Sequence, residues 1–214
     1  MNCKHVLGPL ELIPLVSFML QKGKCRSCQA NISRLYPLVE LGTGLLFAGA
    51  YLSLGLTAEL LVALLLISML SIVFISDLTY MLIPNRILIW FFPTFIVLRL
   101  TLIPLDPWWH AVAGSFTGFA SVYLITCLSK GGMGGGDIKL FAVLGLVLGW
   151  KLTLLCLMLS CFYGAVIGGV GLLTGKIKRR TPIPFGPFIV LGALTAYFYG
   201  ELLIRWYMRS ILPS

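Results

Sequence analysis

Two aspartates stand out in a chain that has few other groups able to carry out acid–base chemistry. Asp77 closes an apolar run in SIVFISDLTYMLIPN, shortly before Pro84 and Asn85. Asp137 follows a run of glycines in MGGGDIKL. Two carboxylates that meet in one site can share a proton, so that one activates water while the other polarises a carbonyl. As a pair, the aspartates are candidates for peptide-bond hydrolysis.

The glycines before Asp137 predict an unusual backbone beside it. Residues without a Cβ reach positive φ and let another backbone approach closely, as an extended peptide substrate requires. These glycines are Gly131, Gly132, Gly134, Gly135 and Gly136. We therefore expect an open loop in which a peptide can lie alongside the carboxylate.

Each aspartate also has a simpler interpretation. Asp137 has the position of a helix N-cap that accepts backbone N–H bonds of the first turn, with the glycines as a linker. Asp77 has the position of an interfacial residue that faces headgroups and water, where a carboxylate costs less than the roughly 2.5–3.5 kcal/mol of a helix centre. Catalysis requires in addition that the two residues meet.

The elements that carry these residues are predicted to be membrane helices. Of the 214 residues, 59% are hydrophobic and only 11% are charged, and the mean hydropathy is +1.00. Soluble domains are about 45–50% apolar and about 25% charged, so one water-soluble core cannot bury this much apolar surface. The sequence therefore predicts an all-α, polytopic membrane bundle in a lipid bilayer.

Seven apolar stretches are expected to cross the bilayer, because a spanning helix needs about 20 residues. They are residues 36–55, 58–76, 86–105, 110–128, 138–150, 151–173 and 184–205. The run 138–150 is short and is expected to be tilted, thinly covered or extended by the glycine loop. Residues 1–34 are too polar to span and form a separate N-terminal segment.

Lysines and arginines predict the orientation, because they accumulate on the cytoplasmic side of membrane proteins. With residues 1–34 in the cytoplasm, all but four of the 16 basic residues fall on that side. The four are Arg99, Lys151, Arg205 and Arg209. Asp77 and Asp137 then share the cytoplasmic face. The net charge of +9 follows this bias, and no basic stripe of the kind that binds nucleic acid is present.

Four pairs of glycines, each spaced four residues apart, lie in the predicted spans. They are Gly114 with Gly118, Gly145 with Gly149, Gly164 with Gly168, and Gly171 with Gly175. Such spacing lets membrane helices approach closely, although glycine is also simply common in them.

The sequence offers few residues for any other kind of catalytic site. His5 and His110 fall on opposite sides of the predicted membrane, so no paired-histidine metal site is expected. The sequence contains neither a G-x-S-x-G elbow nor a phosphate-binding P-loop.

The chain resembles the type IV prepilin peptidases, which are GxGD aspartyl proteases. Gly134 to Asp137, with the DIKL continuation, match the GxGD motif, and DLTYMLIPN matches the first catalytic stretch. ELIPLVSFMLQKGKCRSC followed by YPLVE matches the cytoplasmic region, and PFGPFIVLGA matches the opening of the last helix. The four motifs stand in the right order, and the resemblance covers essentially the whole chain.

This resemblance implies an endopeptidase of the bacterial inner membrane with Asp77 and Asp137 as its catalytic pair. The family cleaves the short basic leader of type IV prepilins and pseudopilins, the subunits of pili, competence and type II secretion systems, after a glycine at the cytoplasmic face. In these substrates an apolar helix follows the leader and is implied to stay in the bilayer beside the enzyme. No cofactor is required for that cleavage. The active-site loops are implied to include Gly134, Gly135, Gly136, Lys139, Pro84 and Asn85. Lys139 flanks the site either as a substrate contact or as one more positive-inside residue.

Two further properties are implied for the N-terminal region. Many family members methylate the new N-terminal amine with S-adenosylmethionine. Cys3, Cys25 and Cys28 resemble the family's four-cysteine set, which implies either a zinc site in which His5 or water completes the ligands or a set of free or partly ligated thiols. The family usually has one more apolar span and one more cysteine before Cys3, so we expect this chain to lack that first span and methylation to be uncertain.

On these grounds residues 35–214 are expected to form the transmembrane peptidase domain. Two other functions remain open. An inactive assembly factor of the same family predicts no cleavage of any prepilin. An ion- or proton-coupled transporter predicts carboxylates nearer the bilayer centre and discontinuous helices, a pattern that the sequence does not show.

Overall fold

The protein is built from helices joined by turns. In the computed structural model, the described parts of the chain are residue 8 and residues 16–25, 27–33, 35–129, 133–175 and 183–211. The helices are α1 (Val16–Leu20), α2 (Leu35–Leu54), α3 (Ala58–Tyr80), α4 (Asn85–Val97), α5 (Trp109–Leu128), α6 (Gly135–Leu173) and α7 (Gly186–Ile211). A π-helical turn, Leu98–Leu102, continues α4. Over these residues the all-α prediction is confirmed.

Six of the helices, α2 to α7, are long and apolar enough to cross a membrane, with α4 counted together with its π-helical turn. The prediction of a polytopic membrane bundle is therefore confirmed. Five of them each coincide with one apolar stretch of the sequence. α6 takes in two stretches, residues 138–150 and 151–173.

α6 is not one straight helix. Its 39 residues would rise about 58 Å, against about 30 Å of hydrocarbon in a bilayer. At Gly149 the backbone leaves the helical conformation, with φ 74° and ψ 167°. A methyl group on Gly118 of α5 would touch both the carbonyl oxygen of Phe141 and the side chain of Thr153, which a straight helix would hold about 18 Å apart. The chain therefore folds back at Gly149.

The fold-back divides α6 into a first arm, residues 135–148, and a second arm, residues 150–173. These arms correspond to the two shorter stretches that the sequence predicts as separate spans. Gly149 permits the reversal because its positive φ is readily adopted only by glycine.

The first arm packs on α5 through glycine. A methyl group on Gly114 would collide with the backbone of Gly145 and of Gly149, and one on Gly145 would collide with the backbone of Gly114. A methyl group on Gly118 would collide with the carbonyl of Phe141. The predicted close approach is therefore confirmed for Gly114 with Gly118 and for Gly145 with Gly149.

The second arm packs antiparallel to α7. Gly192 lies against Ser160, whereas Gly200, further along α7, lies against Leu152, earlier in the second arm. This pairing brings the start of α7, at Gly186, to the same end of the bundle as the start of α6.

α3 extends to Tyr80, four residues beyond the predicted end at residue 76, so that Asp77 lies in its last turn. Met81 ends the helix with a positive φ of 52° and donates its N–H to the carbonyl of Asp77 at 2.9 Å. Pro84 then adopts an extended conformation as the N-cap of α4. The break between the helices thus lies where the sequence placed it, around Pro84 and Asn85.

The chain forms two compact units, residues 1–68 and residues 69–214, and α3 continues from the first into the second. Every residue of the candidate site belongs to the second unit. The division into an N-terminal segment, residues 1–34, and a peptidase domain, residues 35–214, stays a prediction.

A matched pair of glycine substitutions tests the packing of α5 on α6. Gly145→Ala places a methyl group into the backbone of α5 and should lower the free energy of unfolding by about 1–3 kcal/mol. Gly49→Ala in α2 meets nothing within 4 Å and should be neutral or stabilising by up to about 1 kcal/mol. Thermal unfolding in detergent measures both, and equal midpoints would contradict this packing.

Candidate active site

A cavity of about 370 Å³ opens at the end of the bundle where α3 ends and α6 begins. It lies within the second unit. Its lining consists of Asp77, Met81, Leu82, Ile83, Asn85, Gly134, Gly135, Gly136, Asp137 and Lys139. The two aspartates, distant in sequence, therefore border one shared space.

The Asp77 carboxylate is held by the start of α7. It is only 6% exposed, and its Oδ2 accepts a hydrogen bond of 2.7 Å from the backbone N–H of Gly186. A Cβ on Gly186 would stand 2.6 Å from that same oxygen. The position therefore needs glycine so that the amide can reach the carboxylate.

The Asp137 carboxylate is held by the start of its own helix. It is 8% exposed, and its Oδ2 accepts a hydrogen bond of 3.1 Å from the backbone N–H of Gly134. Gly134 is the N-cap of α6 and Asp137 is the third residue inside. The simpler interpretation of Asp137 as the N-cap itself is therefore wrong, because the glycine run supplies the cap and the aspartate bonds back to it.

Both carboxylates keep an oxygen for chemistry. One oxygen of each is anchored to a backbone N–H, and the other accepts no hydrogen bond from any residue in the described parts of the chain. The two groups are also close enough to interact electrostatically. Each anchoring amide belongs to a helix N-terminus, where the helix dipole stabilises negative charge. This arrangement can bind and polarise a small polar group, such as water, between two acids.

The walls of the cavity are mostly backbone and apolar side chains. A Cβ on Gly136 would lie 2.9 Å from the Cβ of Ile83, so the glycine loop packs directly on the segment that joins α3 to α4. Lys139 Nζ donates a 3.0 Å hydrogen bond to Asn85 Oδ1 and so joins the first turns of α6 and α4. Because the glycines of this loop have no side chains, the cavity has room for a peptide backbone.

Most of the predicted site residues meet at this cavity. The structure brings together Asp77, Asp137, Gly134, Gly135, Gly136, Asn85 and Lys139. Pro84 does not line the cavity but begins the helix that carries Asn85. Gly131, Gly132 and Lys130 lie outside the described residues.

The sequence interpretation missed two contributors. Gly186 holds Asp77, and Ile83 supports the glycine loop. The signal for Gly186 was present in PFGPFIVLGA, where a glycine stands immediately before a helix-starting proline. Ile83 carried no such signal, because an isoleucine before proline suits any extended segment.

The cysteines predicted as metal ligands are only partly described. Near Cys25 and Cys28, the Cys25 N–H donates to the Ala30 carbonyl and the Gln29 N–H donates to the Cys25 carbonyl. Two thiolates this close in sequence suit half of a tetrahedral zinc site. No group of three potential ligands occurs within the described residues, while Cys3 and His5 lie outside them. Zinc binding stays a prediction.

The chain is similar to known proteins along nearly its whole length. The sequence model of the type IV leader peptidase family matches residues 64–169, and that of the bacterial peptidase A24 N-terminal domain matches residues 1–54. The prepilin leader peptidase/N-methyltransferase of Bacillus subtilis (strain 168) is 46% identical over 210 residues, which cover 98% of this chain and 84% of that protein.

Proteins of the same name from other bacteria are also similar. That of Aeromonas salmonicida (strain A449) is 38% identical over 219 residues, covering 99% of this chain and 74% of the relative. That of Pseudomonas aeruginosa is 35% identical over 222 residues, covering 97% and 73%. No solved structure matches the chain.

Proposed function

The chain belongs to the type IV leader peptidase family, and on that premise we propose that Asp77 and Asp137 are the catalytic pair with which it cleaves the leader peptide of prepilins. The observation that carries this assignment is the shared cavity, into which both acids project at the end of the bundle. Among the residues that the structure describes, no other pair of carboxylates lines that cavity.

The two carboxylates share one proton at the start of the reaction. The ionised member takes a proton from water, whose oxygen attacks the scissile carbonyl carbon. The protonated member gives its proton to the carbonyl oxygen, and a tetrahedral diol forms. The carboxyl group that took the proton from water then gives it to the amide nitrogen, the C–N bond breaks, and one hydroxyl of the diol returns its proton to the pair as the carboxylic acid forms. One proton remains on the pair, which is ready for the next cycle.

The backbone around the pair positions this chemistry. Gly134 and Gly186 each hold one carboxylate oxygen through an N–H, so the opposite oxygens remain directed to the reacting groups. Preformed hydrogen bonds of this kind need no reorganisation during the reaction. The glycine loop gives an extended substrate room to lie beside Asp137.

The reaction takes place at the cytoplasmic face of the inner membrane, with the N-terminus in the cytoplasm. The distribution of basic residues supports this orientation, since 12 of the 16 fall on the side of the two aspartates when residues 1–34 are cytoplasmic. The basic leader of the substrate is retained on the cytoplasmic side and is therefore cut there.

The same enzyme methylates the new N-terminal amine, with S-adenosylmethionine as the methyl donor. The support is the name prepilin leader peptidase/N-methyltransferase that the relatives carry over nearly all of this chain's length. Mass spectrometry of a co-expressed prepilin tests it. The mature subunit should carry the mass of one added methyl group. A subunit that is processed but unmethylated would show that the chain is a peptidase without methyltransferase activity.

Removing either acid tests the catalytic pair. Asp77→Asn or Asp137→Asn keeps the shape of the side chain but removes the shared proton, so leader cleavage should fall at least about a thousandfold. Membrane insertion and yield should be unchanged. Asp106→Asn, in the loop before α5, is the matched control and should cleave normally. Cleavage of a co-expressed prepilin, followed by gel shift, gives the result, and full processing by either active-site variant would overturn the assignment.

Adding one methyl group at Gly186 tests the anchoring of Asp77. Gly186→Ala should displace the carboxylate and lower the rate of cleavage about tenfold to a hundredfold, since small misplacement of a catalytic group is costly. Gly169→Ala, in the second arm of α6, meets nothing within 4 Å and should retain the full rate. Initial rates at equal protein concentration compare the two, and a Gly186→Ala enzyme as fast as its control would show that the amide does not position Asp77.

A further inference from the structure

A long apolar groove adjoins the catalytic cavity on the surface formed by α4, α5 and the first arm of α6. One part, of about 420 Å³, is lined by Asn85, Leu88, Ile89, Phe92, Phe119, Lys139, Ala142 and Val143. A second part, of about 430 Å³, shares Phe92, Phe119 and Ala142 with the first and reaches Leu100 and Leu146. The two parts therefore form one continuous groove.

The groove exists because α4 and α5 both pack on α6 but make almost no contact with each other. The first arm of α6 forms the floor of the groove, where the small side chain of Ala142 fills little of the space. On α5, the rim residues Phe116 and Phe119 follow each other at helical spacing and are 74% and 44% exposed. On α4, Ile89 is 68% exposed on the opposite rim.

The dimensions of the groove suit a helix. From Asn85 to Leu100 the α4 wall rises about 22 Å, or most of the roughly 30 Å of a bilayer's hydrocarbon. Apart from Asn85, Lys139 and Ser115, the described residues of the lining have apolar side chains. A peptide seated there must therefore be apolar along its length and have its backbone groups paired internally, which in lipid requires a helix.

The groove opens directly into the catalytic cavity. Asn85 and Lys139, which are joined by their hydrogen bond, line both spaces and mark the junction. A chain that leaves the cavity toward the membrane interior passes this junction and enters the groove.

We propose that this groove is the docking site for the apolar helix of the substrate, which follows the cleaved bond. The proposal rests on the proposed function, because it takes the cavity as the place of cleavage. Docking of the helix fixes the distance between the membrane and the scissile bond, so the groove sets which bond of the leader reaches Asp77 and Asp137. The substrate is recognised as an apolar helix with an extended, basic N-terminal leader, and the phenylalanines of the rim supply its main contacts.

Site-specific photo-crosslinking tests the docking site. The Asp137→Asn enzyme, which should bind without cutting, carries benzoylphenylalanine in place of Phe116 in the groove or of Phe162 on the second arm of α6. Phe162 is 58% exposed and lies outside the groove, so it is the matched lipid-facing control. A co-expressed substrate with a basic leader, a glycine and an apolar helix should crosslink at Phe116 and not at Phe162. Equal capture at both positions, or capture of lipid alone at Phe116, would overturn the proposal.

Activity assays with two substrates separate this proposal from the proposed function. One substrate has the full apolar helix, and the other is a short peptide with the same leader and cleavage site but a polar continuation. Ile89→Trp narrows the groove and should lower cleavage of the first relative to the second about tenfold. Ile167→Trp, at a position on the second arm of α6 that is 47% exposed, should leave the ratio unchanged.

The outcomes are distinct. If the unsubstituted enzyme cleaves neither substrate, the proposed function fails and the docking site with it. If it cleaves both and Ile89→Trp leaves their ratio unaltered, only the docking site is overturned.

Discussion

Two backbone amides, each at the start of a helix, hold the carboxylates on which the site depends. Gly186 of α7 donates to Asp77, and Gly134 at the start of α6 donates to Asp137. An acid at the edge of a membrane is costly unless polar groups support it, and the dipoles of two helix N-termini supply that support. Each amide binds one oxygen, and the other oxygen of each carboxylate accepts no hydrogen bond from the described residues. α3, α6 and α7 must therefore converge at one end of the bundle.

Glycine makes that convergence geometrically possible. The reversal of α6 at Gly149 returns its second arm to the end from which it started, and α7 then begins beside Asp77. Contacts of Gly114 with Gly145 hold α5 against the first arm of α6 at backbone distance. α5 is held closely against α6, whereas α4 makes almost no contact with α5. The membrane-facing groove therefore remains open between α4 and α5. The packing of α5 on α6 and the anchoring of both carboxylates thus each depend on glycines, at different places in the fold.

Much of this could be predicted from the sequence. Apolar stretches predicted the helices because length and composition alone decide whether a segment can span lipid, and the two aspartates were evident because acids are few in such a chain. A glycine before the first proline of α7 was visible in the sequence, but its contact with Asp77 could not be predicted, since that contact joins residues 109 positions apart and depends on how α7 packs. The groove could not be predicted either, because apolar residues at helical spacing in α4 and α5 are equally typical of a surface that faces lipid. The contribution of Cys3 to zinc binding stays a prediction.

The most direct test of the central claim is the structure of the enzyme bound to a peptide analogue in which a hydroxyl-bearing tetrahedral carbon replaces the scissile carbonyl. The hydroxyl mimics the diol of the reaction, so it should lie between Asp77 and Asp137, within about 2.5–3.0 Å of an oxygen of each. A hydroxyl bonded to only one of the two carboxylates, or an analogue bound outside their cavity, would contradict a catalytic pair.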